Sequence, residues 1–356
     1  MSLALAGSLQ LTVGAPVPNI VRSRPQGLSR LWRGQPALAL PGLLGALFTL
    51  CGHAHRLAGR LAVAAARGEH GVLATGERAQ LHWHTAREHA RRVTLDWAAL
   101  ARQPAAPALH TLRALPPSHE STDVDPLGEW LLREVLAMPA AAWLAQFERD
   151  GEGWLADWCA HAATPTAHAL DSGRAALHGM HIDAAPLRLH DQPAARQRLS
   201  DELAATAGDA FAAAPTTALG CVDTGAWSRA CVPPAAGPQS AWLRLASRLV
   251  DLVRLAVPES PAHGLHSGAC TTGPGEGLAW IETARGLLVH WVRLDGERVA
   301  ECRVLSPTDW NFHPSGGLAL ALAQTRSVAV AEWLVAAFDP CVAHRIVAAC
   351  EEPAHA

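Results

Sequence analysis

Thr49-Leu50-Cys51-Gly52-His53-Ala54-His55 near the start of the chain and Phe338-Asp339-Pro340-Cys341-Val342-Ala343-His344 near its end decide how the rest is read. Each places one cysteine beside histidine and next to a break signal, glycine in the first and proline in the second. Thiolate sulfur and imidazole nitrogen are donors that soft and borderline metals select, so the two stretches read as halves of one metal site. Taken alone, either cysteine is a small buried hydrophobe, as most free cysteines are.

The 356 residues are 49% hydrophobic with a formal net charge of -3. That is ample for a large core. It gives no electrostatic case for nucleic acid or an anionic membrane surface, so small ligands and protein partners remain. Met1-Ser2-Leu3-Ala4-Leu5-Ala6-Gly7 lacks the basic start of an export signal and any twin-arginine pair, so a cytoplasmic location is expected. The longest apolar run, Pro36 to Cys51, is shorter than the roughly 20 residues of a membrane span and contains Pro41; it reads as a buried helix. The cysteines at 51, 159, 221, 231, 270, 302, 341 and 350 form no C-x-x-C pair and suggest no disulfide framework.

Ser8 to Val13 alternates as a strand. Pro41 to Arg67 and Arg78 to Leu100 have helical patterning, and the charges from Arg87 to Arg92 read as a solvated helix face. Prolines 104, 107, 116, 117 and 126 mark 103–126 as a surface loop or insertion. Helix is expected over Leu127 to Cys159 with a break at Pro139, strand character near Ala176 to Leu189, and amphipathic helices over Asp201 to Ala213 and Ser240 to Val257. Gly286 to Leu305 reads as a hairpin turning at Asp295-Gly296, a type I′ signal. Gly317 to Phe338 reads as one helix that delivers Asp339, Pro340 and Cys341. Periodicity alone gives a mixed, mainly helical domain.

A further ordered set of segments carries a resemblance. Arg33-Gly34 leading to Leu50-Cys51-Gly52 is similar to a segment running from Arg-Gly to R-x-C-G-x-C. Asp223-Thr224-Gly225-Ala226-Trp227-Ser228-Arg229 is similar to acidic-T-G-A-x-x-R, Glu282-Thr283-Ala284-Arg285-Gly286 to E-A-P-R-G, Pro307-Thr308-Asp309-Trp310-Asn311 to P-T-T-W-N, and Phe338-Asp339-Pro340-Cys341 to F-D-P-C. These are motifs of the large subunit of nickel-iron hydrogenases, and the matches extend over nearly the whole chain. The resemblance implies one large-subunit-like domain over 1–356. Its class would be α+β and mainly helical, with a central bundle of long helices and small peripheral antiparallel sheets.

The departures bear on function. Where the enzymes place a second cysteine in each motif to bridge nickel and iron, this chain has Ala54 and His344, and Val347 stands for a further histidine. The retained cysteines match positions that bind nickel alone in the enzymes. The E-G-H segment appears as Ala6-Gly7-Ser8, and the chain runs only 15 residues past Cys341, leaving no evident peptide for a maturation protease. Four-thiolate nickel binding and hydrogen turnover are therefore not expected, and no catalytic residue is assigned.

The pattern resembles hydrogenase expression/formation proteins of the HupK/HoxV type, degenerate relatives of the large subunit. The resemblance implies a maturation scaffold that holds iron carrying two cyanides and one carbon monoxide, without nickel, and passes it to the apo large subunit alongside other maturation proteins. Cys51 and Cys341, with His55 and His344, are then the candidate iron ligands. Arg285, His53, Asp339 and Pro340 are the candidate residues around the diatomic ligands. A metal-free mimic of the large subunit and a residual redox enzyme are the alternatives.

Overall fold

The computed structural model describes residues 7–23, 31–48, 51–103, 126–205, 208–229, 239–257 and 265–349. The loop expected over 103–126 falls almost wholly outside them, as do Cys231, Cys350 and Ala6. Strand β1 (Ser8–Val13) buries Leu9, Leu11 and Val13 and turns Ser8, Gln10 and Thr12 outward, as the two-residue strand period requires. It pairs antiparallel with β2 (Ile20–Ser23) and parallel with the last strand, β7 (Ala343–Ala348), so this small sheet is mixed where only antiparallel pairing was expected.

The single helix expected over Pro41 to Arg67 is two, α1 (Leu40–Leu47) and α2 (Gly52–Ala66). α1 is short and half-exposed, with Leu43 outward, so the apolar run is not the buried helix expected of it. The chain folds back on itself so closely that a Cβ on Gly52 would lie 2.3 Å from the Gly45 carbonyl oxygen. Gly52→Ala is accordingly expected to push α1 off α2, displace Cys51 and cost about 1–3 kcal/mol, measurable by denaturant unfolding.

Helix α3 (Thr75–Arg91) runs on through a wider π turn, Arg92–Asp96, into Trp97–Leu100, matching the helix expected there. Pro126–Trp130 and a π stretch, Leu131–Leu136, precede α4 (Ala140–His161), which starts after Pro139 and kinks at Gly151. Helix α5 (Pro165–Ala176), capped by the Thr164 hydroxyl, had not been read from sequence. The strand character that follows amounts to two short bridges, His181–Ile182 and Ala185–Pro186. The helix expected over Asp201 to Ala213 begins earlier, as α6 (Pro193–Ala204), and Gly208–Ala213 is a separate short helix. Helix α7 (Ala241–Leu255) starts where Ser240 caps it, and its polar stripe of Arg244, Arg248, Asp251 and Arg254 is buried along with its apolar face.

Strands β3 (Ser267–Gly273), β4 (Glu276–Thr283), β5 (Gly286–Asp295) and β6 (Arg298–Leu305) form one antiparallel sheet. Asp295 pairs with Arg298, so the two-residue loop is Gly296-Glu297, one position later than expected. Glycine first in the loop is the type II′ pattern. Alternation along β4 and β5 sends Ala279, Ile281, Leu288 and Val292 against α2, and Leu278, Trp280, Leu287, Val289 and Trp291 against Leu199, Leu203 and Trp310. Both faces are thus covered, and the helices α3 to α5 and α7 build the largest core beside the sheet. α8 (Pro307–Asn311) leads to α9 (Gly317–Ala323) and α10 (Val328–Phe338), two helices where one was expected. The Ser327 side chain accepts the Val330 N–H and restarts the winding.

Candidate functional site

Cys51 is the residue from which α2 begins. At the other end, Asp339 takes a left-handed conformation (φ 51°) that turns the chain out of α10, and Pro340 cannot resume helix there. Cys51 and Cys341, 290 residues apart in the chain, thereby line one cavity of about 570 Å³, whose wall also holds Arg285 and Glu88.

The matched motifs interlock around Arg285. Gly286, at φ 129°, leaves no room for a side chain, since a Cβ would lie 2.6 Å from a Thr224 methyl carbon. The Thr224 hydroxyl accepts the Leu287 N–H at 2.8 Å, and Asn311 Oδ1 accepts the Thr224 N–H at 2.8 Å. Arg229 Nη1 donates to the Thr283 carbonyl at 2.7 Å and pairs with Asp251, which also holds His89 Nε2 at 2.7 Å. Arg248 Nη1 donates to the Ala284 carbonyl at 3.2 Å. The turn bearing Arg285 is therefore fixed on every side by side chains distant in sequence.

Asp339 does not line the cavity; it anchors the wall from behind. Its carboxylate lies 2.8 Å from Arg92, 3.0 Å from Arg248 and 3.4 Å from Arg285 Nε. Burial works against its charge, but Arg248, Arg285 and Arg92 together outweigh it and bring its pKa down to about 2. Burial likewise opposes the charge of Arg285, yet the carboxylates of Asp339 and Glu88 raise its pKa. Arg285 Nη2 donates to Glu88 Oε2 at 2.8 Å.

The thiols are held in their neutral form. Burial, aided by the neighbouring Cys341, pushes Cys51 up to about 12, with Arg285 pulling the other way. Burial also raises Cys341, again opposed by Arg285 and then by Thr308. The Thr308 hydroxyl accepts the Cys341 N–H at 3.2 Å and lies 3.0 Å from its Sγ, a contact in which either the hydroxyl or the thiol can be the donor. Thiols bind a thiophilic metal only by giving up their protons to it.

The histidines divide. His55 lines the cavity, stacked on Phe48 at 3.9 Å, and its Nδ1 is 3.0 Å from His290 Nε2 in the interior. His290 is held near 3 by burial, so it stays neutral. His53 lines the wall and stacks on His84 of α3 at 4.6 Å. His344 is not brought to the cavity: β7 carries it away from Cys341, opposite Leu9, with its side chain exposed. Pro340 shapes the turn and is likewise outside the lining. Among the described residues no group of three or more His, Cys, Asp or Glu converges as a metal cage, so protein donors at this site amount to the two thiols with imidazole nearby.

Sequence reasoning missed Glu88 and Arg91, which line the cavity, and Arg92, which reaches Asp339. Within the run Arg87 to Arg92, read from sequence as a solvated face, Arg87 is exposed as expected, but Arg87, Glu88 and Arg91 also line the cavity and His89 and Ala90 are buried. Ala54 lines the cavity, and its methyl offers no donor.

A cavity of two thiols and a clamped guanidinium, set between a helix bundle and an antiparallel sheet, defines a large-subunit-like protein without the full set of metal thiolates. Solved structures agree on the fold. The chain is similar to an NAD+-reducing [NiFe]-hydrogenase in the H2-reduced state (TM-score 0.51, 15% identity, 90% of this chain and 91% of that one). It is also similar to the as-isolated oxidized Ni-Fe-Se hydrogenase of D. vulgaris Hildenborough (TM-score 0.53, 14% identity, 92% and 93%). No family profile matches. Among curated proteins it is 35% identical to the hydrogenase expression/formation protein HoxV of Cupriavidus necator over 97% of this chain and 96% of that one, and 30% identical to HupK of Bradyrhizobium diazoefficiens over 96% and 97%. The chain belongs to this HoxV/HupK family of hydrogenase expression/formation proteins. Among the described residues no helix is long and apolar enough to cross a membrane.

Proposed function

We propose that the protein is a non-catalytic scaffold of nickel-iron hydrogenase maturation that holds the iron-dicyano-carbonyl unit between Cys51 and Cys341 and passes it to the apo large subunit. The observation that carries this reading is the meeting of those two cysteines and Arg285 in one cavity. Iron that already bears three diatomic ligands needs few protein donors, and two thiolates suit its softness. Arg285 would donate hydrogen bonds to a cyanide nitrogen and offset the charge of the thiolates. Cys51 and Cys341 would bind as thiolates, their protons leaving as the cargo arrives. Ala54 leaves no bridging thiol for nickel, so the unit would stay mononuclear and hydrogen would not be turned over. The partners are then the apo large subunit and the maturation proteins that supply the iron.

Infrared spectroscopy tests this on protein purified anaerobically from cells that express the maturation machinery. Cyanide and carbonyl stretches are expected. A silent spectrum from folded, iron-supplied protein would instead favour a metal-free mimic of the large subunit, a reading consistent with the lack of a third converging donor among the described residues.

A further inference from the structure

Arg285 has two carboxylate partners of different character. Asp339 sits behind it, 4% exposed and also bound to Arg92 and Arg248. Glu88 sits in front, in the cavity wall, with its side chain 25% exposed and one other charged contact, Arg91 Nε at 3.9 Å. The tighter contact is the one in front: 2.8 Å to Glu88 against 3.4 Å to Asp339.

We propose that Glu88 is a built-in competitor for the anion-binding face of Arg285: it occupies the guanidinium when the cavity is empty and is displaced by an anionic ligand that enters. This rests on reading the cavity as a site for a unit with anionic ligands, and concerns what that unit must exchange to reach Arg285. An entering anion displaces Glu88 and leaves Asp339 in place, because Asp339 is also held by Arg92 and Arg248, whereas the other charged contact of Glu88 is Arg91 at 3.9 Å. Arg91, three residues along the same helix, is placed to receive the freed carboxylate.

The exchange replaces one charge-assisted hydrogen bond by another, so binding gains little from Arg285 and departure restores the resting pair. A permanent cofactor site has no use for such a competitor. A site that must give up its ligand does, since Glu88 lowers the barrier to release by taking the guanidinium back.

Thiocyanate, a linear anion with its own C≡N stretch, is the probe, titrated into the full metal-free chain and followed by infrared absorption. Glu88→Gln keeps the size and a neutral hydrogen bond to Arg285, and is expected to bind thiocyanate about tenfold more tightly than wild type. Glu88→Ala should show the same gain, which guards against a peculiarity of one variant. The gain should vanish when Arg285→Lys is added, a change that keeps a positive charge opposite Asp339 but removes the planar fork. Equal affinity in wild type and both Glu88 variants, a gain that survives without the guanidinium, or no binding by any of these proteins would each overturn the proposal. A Glu88 effect seen alongside a silent iron spectrum would leave this inference standing and sink the carrier reading alone.

Discussion

Serine at both Cys51 and Cys341 is expected to reduce hydrogenase formation in the producing cell to the level of a strain lacking the protein, with the fold intact. On the carrier reading the two sulfurs are the soft donors that the described residues bring to the cavity, and a serine hydroxyl neither ionises near neutral pH nor matches a thiophilic iron. The change is nearly isosteric and neither cysteine forms a disulfide. The unfolding midpoint should therefore move by no more than roughly 4 °C. Cys341→Ser keeps a hydroxyl within reach of Thr308, so local geometry survives even where ligation does not. The two measurements together separate the hypotheses. Normal hydrogenase formation with the double variant would sink the carrier and favour a mimic recognised by shape, whereas loss of formation with an unchanged melt ties function to the sulfurs themselves.

The residues that set this test were legible before any coordinates. Cys51, Cys341 and Arg285 lie in motifs whose order is visible along the chain, and the structure brings all three to one cavity. Glu88 was not legible, for a physical reason. Charges three and four apart on a helix look the same whether the face meets water or a cavity, and only the packing of α3 against α7, which carries Arg248, decides which it is. His344 failed the other way. Its closeness to Cys341 in sequence suggested a shared ligand sphere, but a strand begins at Ala343 and pairs His344 with Leu9, and the cavity lining does not include it.

Fold errors have the same origin. The patterning from Pro41 to Arg67 is helical throughout, yet α1 ends at Leu47 and α2 starts at Gly52, and the close packing of Gly45 on Gly52 accompanies the break without a signature in the periodicity. The break between α9 and α10 depends on one serine cap. The hairpin was recognised from its alternation, yet its loop sits one residue later because strand register across β4, β5 and β6 fixes the turn. The stripe Arg244, Arg248, Asp251 and Arg254 on α7 was the subtlest case. Its spacing marks an amphipathic helix, but the partners that permit its burial include Asp223, Arg229, Asp339 and Glu148, none of them nearby in the chain.

That buried charge makes Asp339 the position where a single substitution should cost most. Asp339→Ala would remove the carboxylate that Arg92, Arg248 and Arg285 share, leaving Arg92 to Asp96 and Arg285 to Glu88 but taking from buried Arg248 its acidic partner, and breaking such a buried arrangement costs about 3–5 kcal/mol. Asp339→Asn, which retains hydrogen bonding without charge, should cost less and so isolates the electrostatic part. The pH dependence follows from the direction of its shift. The folded pKa of about 2 lies below the ordinary 3.8, so the stability Asp339 contributes is fully present above pH 4 and is lost as pH falls through 2. Urea unfolding of wild type and Asp339→Asn at a series of pH values should therefore show a constant gap from pH 7 down to about pH 4 that narrows toward pH 2. A gap that stays unchanged at pH 2 would mean the carboxylate supports the arginines by shape alone, and the clamp on Arg285 would have to be explained without its charge.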